Sequence, residues 1–320
     1  MKEINKNKKK KPHDSAYKYL FKSKRIFLQL LKSFVHIDFI NKIELENMEL
    51  FDKSFISDDL LDRESDLIYR INYKNREFFI YILLEFQSTV DKSIPVRMFS
   101  YVLLLYDMIY KNTKKGLLPN IFPILLYNGK DDWNIPTNLN RLIEKNIPDK
   151  YIPSFEYYPI IEKDIPDKTL EKLHNLVAAV IFLEKQKDET KINMAINKVV
   201  DFIKDEDIID VRIFTVWLTK MFRASVSQKK INEIKNITEA KSMLTILAEK
   251  IENKARIEGK IEGKIEGKIE GKIEGKIEGK IETAINLIQD GMSIDKVVRY
   301  TGLSRDKVEK LNMKKSSKKK

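Results

Sequence analysis

From Asp14 to Phe34 the stretch DSAYKYLFKSKRIFLQLLKSF repeats apolar positions at helical spacing just after Pro12, which predicts a first helix. The period then changes. NKIELENMEL (41–50) alternates apolar and polar residues like a half-exposed strand, and SDLIYRINY followed by FFIYILLEFQS reads as a hairpin. Its second arm is apolar on both faces, so it belongs in the middle of a sheet. Helical spacing returns in IPVRMFSYVLLLYDMIYKN (94–112), and NIFPILLYNG (120–129) is a strand ended by Asn128-Gly129. YIPSFEYYPII supplies one more expected strand. The predicted fold class is α/β, with an αβββαβ core built on a mixed sheet and an all-helical C-terminal region.

Residues 168–256 contain neither glycine nor proline and keep helical periodicity, which predicts several packed helices. The tetrapeptide IEGK then repeats six times, from Ile257 to Lys280. A helix of this composition opposes itself: the period of four sets Glu beside Glu and Lys beside Lys at i,i+4, and each Gly costs roughly 1 kcal/mol against Ala. Its isoleucine stripe also winds round the axis, because four residues exceed one helical turn. The stretch reads as a spacer or, alternatively, as a self-association helix, and a homodimer is one assembly open to it. The last element, ETAINLIQDGMSIDKVVRYTGLSRDKVEKL (282–311), reads as helix, turn, helix, turn, helix, with Ser293 and Ser304 as N-caps and Gly291 and Gly302 at helix ends. It is similar to a small helix-turn-helix, whose second helix would offer Ser304, Arg305 and Lys307 to DNA. Short helical hairpins of this spacing also serve as plain packing elements.

Charge changes this picture less than its total suggests. The net charge is +12, but residues 2–11 hold six lysines against Glu3 and residues 314–320 hold five lysines, so the body carries only about +2. The two basic tails are expected to hold phosphates without reading base sequence. Cysteine is absent, which excludes disulfides and thiolate zinc sites, and the three histidines leave oxygen as the expected metal ligand. No apolar run reaches the roughly 18 residues of a membrane span, and the lysine-rich start is not followed by a signal-peptide core. A cytoplasmic protein without membrane contact is expected.

One feature of the hairpin calls for chemistry. If it turns about the Asn75-Arg76 bond, facing residue numbers add to 151, and Asp66 lies directly opposite Glu85 with Cβ atoms about 5 Å apart. Two facing carboxylates repel unless a proton or a divalent cation lies between them, and Mg²⁺ suits such oxygen ligands. Gln87 shares the face of Glu85 and brings an amide. Register decides this, since a one-residue slip turns one carboxylate away. The alternative is two separately solvated strand-end acids beside an acidic loop that carries Asp58, Asp59, Asp62 and Glu64.

The element order with Asp in the second strand and Glu-x-Gln in the third resembles the PD-(D/E)XK nuclease superfamily. HDSAYKYLF, SFISDDLLDRESDLIY, FFIYILLEFQS and RMFSYVLLLY resemble, more closely, the YhgA-like recombination-promoting nuclease and transposase family over roughly residues 13–160, and GMSIDKVVRYTGLS is similar to tails in that family. The resemblance implies a PD-(D/E)XK-like αβββαβ core, Asp66 and Glu85 as ligands of Mg²⁺, and Gln87 where the superfamily usually has lysine. Glutamine orients a water but brings no positive charge to the reaction. The implied function is an Mg²⁺-dependent DNA endonuclease that promotes recombination or belongs to mobile elements; the alternative is a catalytically inactive, transposase-like DNA-binding or assembly protein. Arg97 and Tyr101, spaced i,i+4, are candidates for the DNA backbone, or else for packing on the sheet. Asp14 either joins the site or caps the first helix. The expected organisation is a nuclease domain (12–165), a helical region (168–256), the repeat (257–281), the helix-turn-helix-like element (282–313) and a basic tail (314–320).

Overall fold

In the computed structural model the described residues are 12–51, 67–73, 76–85, 90–114, 116–186, 192–224 and 226–316. The first predicted helix is two helices, α1 (Pro12–Phe21) and α2 (Lys24–Phe34). The apolar periodicity runs straight through the break, which is set by Ser23: its hydroxyl accepts from the Ile26 N–H at 3.4 Å and starts a new helix. The predicted strand at 41–50 is mostly two short 3₁₀ turns, and only Met48–Leu50 pairs as β1.

Strands β2 (Leu67–Tyr73) and β3 (Arg76–Glu85) form the expected hairpin, β4 is Asn120–Tyr127 and β5 is Tyr158–Ile161. The sheet order is β1-β2-β3-β4-β5. β1, β2 and β3 run antiparallel, whereas β3, β4 and β5 run parallel. The crossover from β3 to β4 uses α3 (Ile94–Thr113). β3 is therefore the strand at which the sheet changes from one pairing mode to the other. Phe79, Ile80, Tyr81 and Ile82 are all buried, as a central strand with two covered faces requires. Pro123 lies in β4 before its pairing with β5 begins at Ile124, where a missing N–H removes no bond to β5.

After β5 come α4 (Asp167–Leu173), α5 (Leu176–Glu184), α6 (Ile192–Phe202), α7 (Ile208–Met221), α8 (Gln228–Asn232) and the long α9 (Ile237–Gln289), followed by α10 (Ile294–Thr301) and α11 (Arg305–Ser316). The sheet is covered on both sides. On one face Leu67, Tyr69, Ile71, Ile80 and Ile82 pack in a core shared with α1, α2, α5, α6 and α7. On the other, Ile68, Phe79, Tyr81, Leu125 and Tyr127 pack against Met98, Tyr101 and Leu105 of α3. Ile68 and Phe79 thus face away from Tyr69 and Ile80, the alternation that the strand period demands.

The chain divides into two compact units, residues 1–253 and 254–320. The second contains the repeat, helical throughout, and a small core of Ala284, Ile288, Val297, Leu303 and Val308. Gly291 (φ 82°) and Gly302 (φ 62°) occupy left-handed positions at the two turns, as helix ends need. Among the described residues no helix is long and apolar enough to cross a membrane.

Candidate functional site

The parallel strands finish together. Glu85 of β3 pairs with Tyr127 of β4, and Tyr127 pairs with Ile161 of β5, so the next residues along two of the strands are Asn128 and Glu162. In open α/β sheets ligands bind beyond the carboxyl ends of the strands, at a change in topology. Here that edge begins with the strand that carries Glu85.

The hairpin register differs from the expected one. Leu67 faces Ile82 and Tyr73 faces Arg76, so facing residue numbers add to 149. The described pairs follow a register two lower in sum than the 151 expected from a turn about the Asn75-Arg76 bond. The shift is two residues, an even number, so it leaves the assignment of residues to the two faces unchanged. Asp66 and Gln87 lie outside the described residues, as do Asp58, Asp59, Asp62 and Glu64, and Glu85 and Asp14 are described only by their backbone positions in β3 and α1. Among the described residues no group of three or more His, Asp or Glu is arranged to hold a metal.

The other candidates can be followed atom by atom. Tyr101 is 4% exposed, with its ring 6.0 Å from that of Tyr81 in the core between α3 and the sheet. It packs on the sheet, the second of the two readings open for this pair: the i,i+4 face that carries it is the face α3 buries. Arg97 pairs with Asp91 through Nη1 and Oδ2 at 2.5 Å. Burial works against charge on Asp91, but bonds from the Ser93 hydroxyl and N–H and from Arg97 outweigh it and hold the carboxyl below its usual range. Arg97 thereby ties the start of α3 to the loop before it.

In the C-terminal element Ser304 is exposed and its carbonyl accepts from the N–H groups of Lys307 and Val308, as a helix-start residue should. Ser293 occupies the cap position of α10, but its hydroxyl makes no capping bond. The Arg305 guanidinium reaches Asp295 at 2.9 Å and Glu309 at 3.0 Å, so it bridges α10 and α11. Lys307 is exposed.

The same strand ends hold a constellation that spacing along the chain did not reveal. Tyr17 of α1 donates its hydroxyl to Glu162 Oε1 at 2.9 Å, and Asn128 donates Nδ2 to Glu184 Oε2 at 2.7 Å. Burial, then the neighbouring acids, push the Tyr17 phenol well above its usual range. A turn asparagine, two glutamates more than 20 residues apart and a helix tyrosine give no periodic signal, and only the tertiary fold gathers them.

A family model described as "Putative transposase, YhgA-like" matches residues 11–212. The chain belongs to that family. The match spans α1 through the sheet and into α7, so it takes in the sheet together with helices packed on it. Among curated proteins, the chain is 24% identical over 152 residues to Recombination-promoting nuclease RpnD of Escherichia coli O157:H7, covering 43% of this chain and 57% of that protein. It is 28% identical over 130 residues to Recombination-promoting nuclease RpnA of E. coli K12, covering 39% and 43%. It is 27% identical over 144 residues to the Inactive recombination-promoting nuclease-like protein RpnE of the same strain, covering 43% and 45%. The aligned part thus spans about half the length of these relatives. No solved structure matches the chain.

Proposed function

We propose that the protein is an Mg²⁺-dependent DNA endonuclease whose site lies at the carboxyl end of β3. The observation that carries the reading is the family match over 11–212 with relatives named as nucleases, together with a parallel strand edge that begins at Glu85. Asp66 and Glu85 would hold the metal, and Gln87 would orient the attacking water. Two carboxylates form an all-oxygen donor set, which suits a small hard dication, and a chain without cysteine offers no thiolate competitor. When bound, the metal polarises the scissile phosphate and lowers the pKa of its water. The chain's own contribution is to fix Glu85 at the end of a central strand, which limits its movement. Contacts with the DNA backbone come from the basic tails and from exposed Lys307, and those contacts position the duplex without reading bases.

A second reading rests on a specific observation, since one relative at 27% identity carries the name of an inactive protein. In that reading the chain binds DNA or assembles without cutting. Incubation of the purified protein with supercoiled plasmid, with and without Mg²⁺, separates the two. Metal-dependent nicking that disappears in Asp66→Ala and in Glu85→Ala is the expected result, with a loss of at least about 100-fold for a metal ligand. Nicking retained at the wild-type rate in both variants would move the site elsewhere, and no nicking by the wild type would favour the inactive reading.

A further inference from the structure

Glu162 and Glu184 meet in a setting where two charged carboxylates do not belong. Glu162 is 2% exposed. Its Oε1 takes the Tyr17 hydroxyl and Glu184 Oε2 takes the Asn128 amide, which leaves Glu162 Oε2 and Glu184 Oε1 buried and without a partner among the described residues. The two buried carboxyl groups lie in one another's field, with the Tyr17 phenol acting on both. Two ionised carboxylates are both acceptors and repel, so a bond between them requires that one carry a proton.

We propose that Glu162 and Glu184 share one proton, Glu162 Oε2 donating to Glu184 Oε1, and that this bond is a latch fastening the ends of β4 and β5 to α1 and α5. One proton satisfies both orphaned oxygens at once. The latch then reads as a chain: Tyr17 donates to Glu162, Glu162 to Glu184, and Asn128 closes it from the other side. Its members come from four elements, and Asn128 directly follows Tyr127, whose backbone pairs with Glu85. The latch therefore steadies the strand end beside the proposed site, although its existence does not depend on whether the chain cuts DNA.

The charged neighbours leave the pair to itself. Lys163, next to Glu162, is bonded to Asp132. Lys185, next to Glu184, is bonded to Asp167 at 2.7 Å and to the Ile165 carbonyl at 2.5 Å. From α1 the facing group is the Tyr17 phenol, from the end of β4 the neutral Asn128 amide, and Asp164 adds negative charge on the Glu162 turn. Burial, followed by the field of Glu184, raises Glu162 well above the usual carboxylate range, and burial raises Glu184 as well. The native state therefore holds a proton that the unfolded chain releases above about pH 4.5. The latch's stabilisation is complete at low pH and is lost as pH rises through the folded value.

Glu162→Gln makes the bond permanent, because the amide donates to Glu184 without titrating and its carbonyl still accepts from Tyr17. Infrared spectra at pH 8 should show a protonated-carboxyl carbonyl band in the wild type that is missing from Glu162→Gln. Labelling glutamate carboxyls with ¹³C should shift that band in the wild type, a readout that needs no variant to fold. In urea unfolding between pH 6 and pH 9, the wild-type midpoint should fall while that of Glu162→Gln falls less; Glu184→Gln, which also removes the need for a shared proton, should behave in the same way. The proposal is overturned if the wild type shows no such band at pH 8, if the band survives in Glu162→Gln, or if wild type and variant midpoints fall in parallel.

Discussion

Two helical stretches of this chain are held by opposite means. In α5, LVAAVIFLE, Leu176 through Leu183 are all buried, packed against the sheet and its companion helices. In the repeat of α9, Ile257, Ile261, Ile265, Ile269 and Ile273 are more than half exposed, and a Cβ added at any of its six glycines meets nothing within 4 Å. The first is a helix because its surroundings leave it no other way to satisfy its backbone in an apolar core. The second rests chiefly on backbone hydrogen bonds, with an ion pair from Lys254 to Glu258 at its start, unfavourable charge spacing and a weak residue at every fourth position. The same secondary structure thus belongs to the global fold in one case and to a local equilibrium in the other.

Three variants test that contrast. Ile181→Ala in α5 opens a cavity in a core with nothing at hand to refill it, so it should lower unfolding stability by about 2–5 kcal/mol in urea denaturation. A loss below about 1 kcal/mol would mean that α5 is less tightly enclosed than its burial indicates. Replacing the six repeat glycines with alanine should stabilise the helix locally by roughly 1 kcal/mol per site, since each added methyl enters open space. Hydrogen exchange should slow across residues 257–280 while the midpoint of the 1–253 unit stays put; a shift in that midpoint would tie the repeat to the main core. Ile269→Ser should change stability by no more than about 0.5 kcal/mol, as expected for an exposed side chain. A larger loss would reveal a partner surface on the isoleucine stripe.

The contrast also explains what could be read in advance. β3 was legible because FFIYILLEF is an apolar run too short for a membrane and too rich in aromatic and branched residues for a surface helix. The turns of the C-terminal element were legible because glycine and serine mark them at fixed places. The break at Ser23 was hidden, because apolar spacing continues across it and only a local cap interrupts the helix. The hairpin register was out of reach because Lys74, Asn75 and Arg76 are all polar and do not declare the centre of the turn. Spacing left Arg97 and Tyr101 open between the DNA backbone and packing on the sheet; it does not show that α3 buries Tyr101 and that Asp91 takes up Arg97. Glu162 and Glu184 look like two ordinary acids until the fold encloses them.

The edges of the sheet carry a consequence for how copies of this chain can meet. β1 is three residues long, and its Glu49 forms an ion pair with Arg70 of β2; β5 is four residues long and contains Pro159, which has no N–H to offer a newcomer. Long, flat, unpaired edges recruit other chains and seed aggregation, and short edges interrupted by charge or proline do not. The described sheet therefore gives little purchase for strand-by-strand growth between copies.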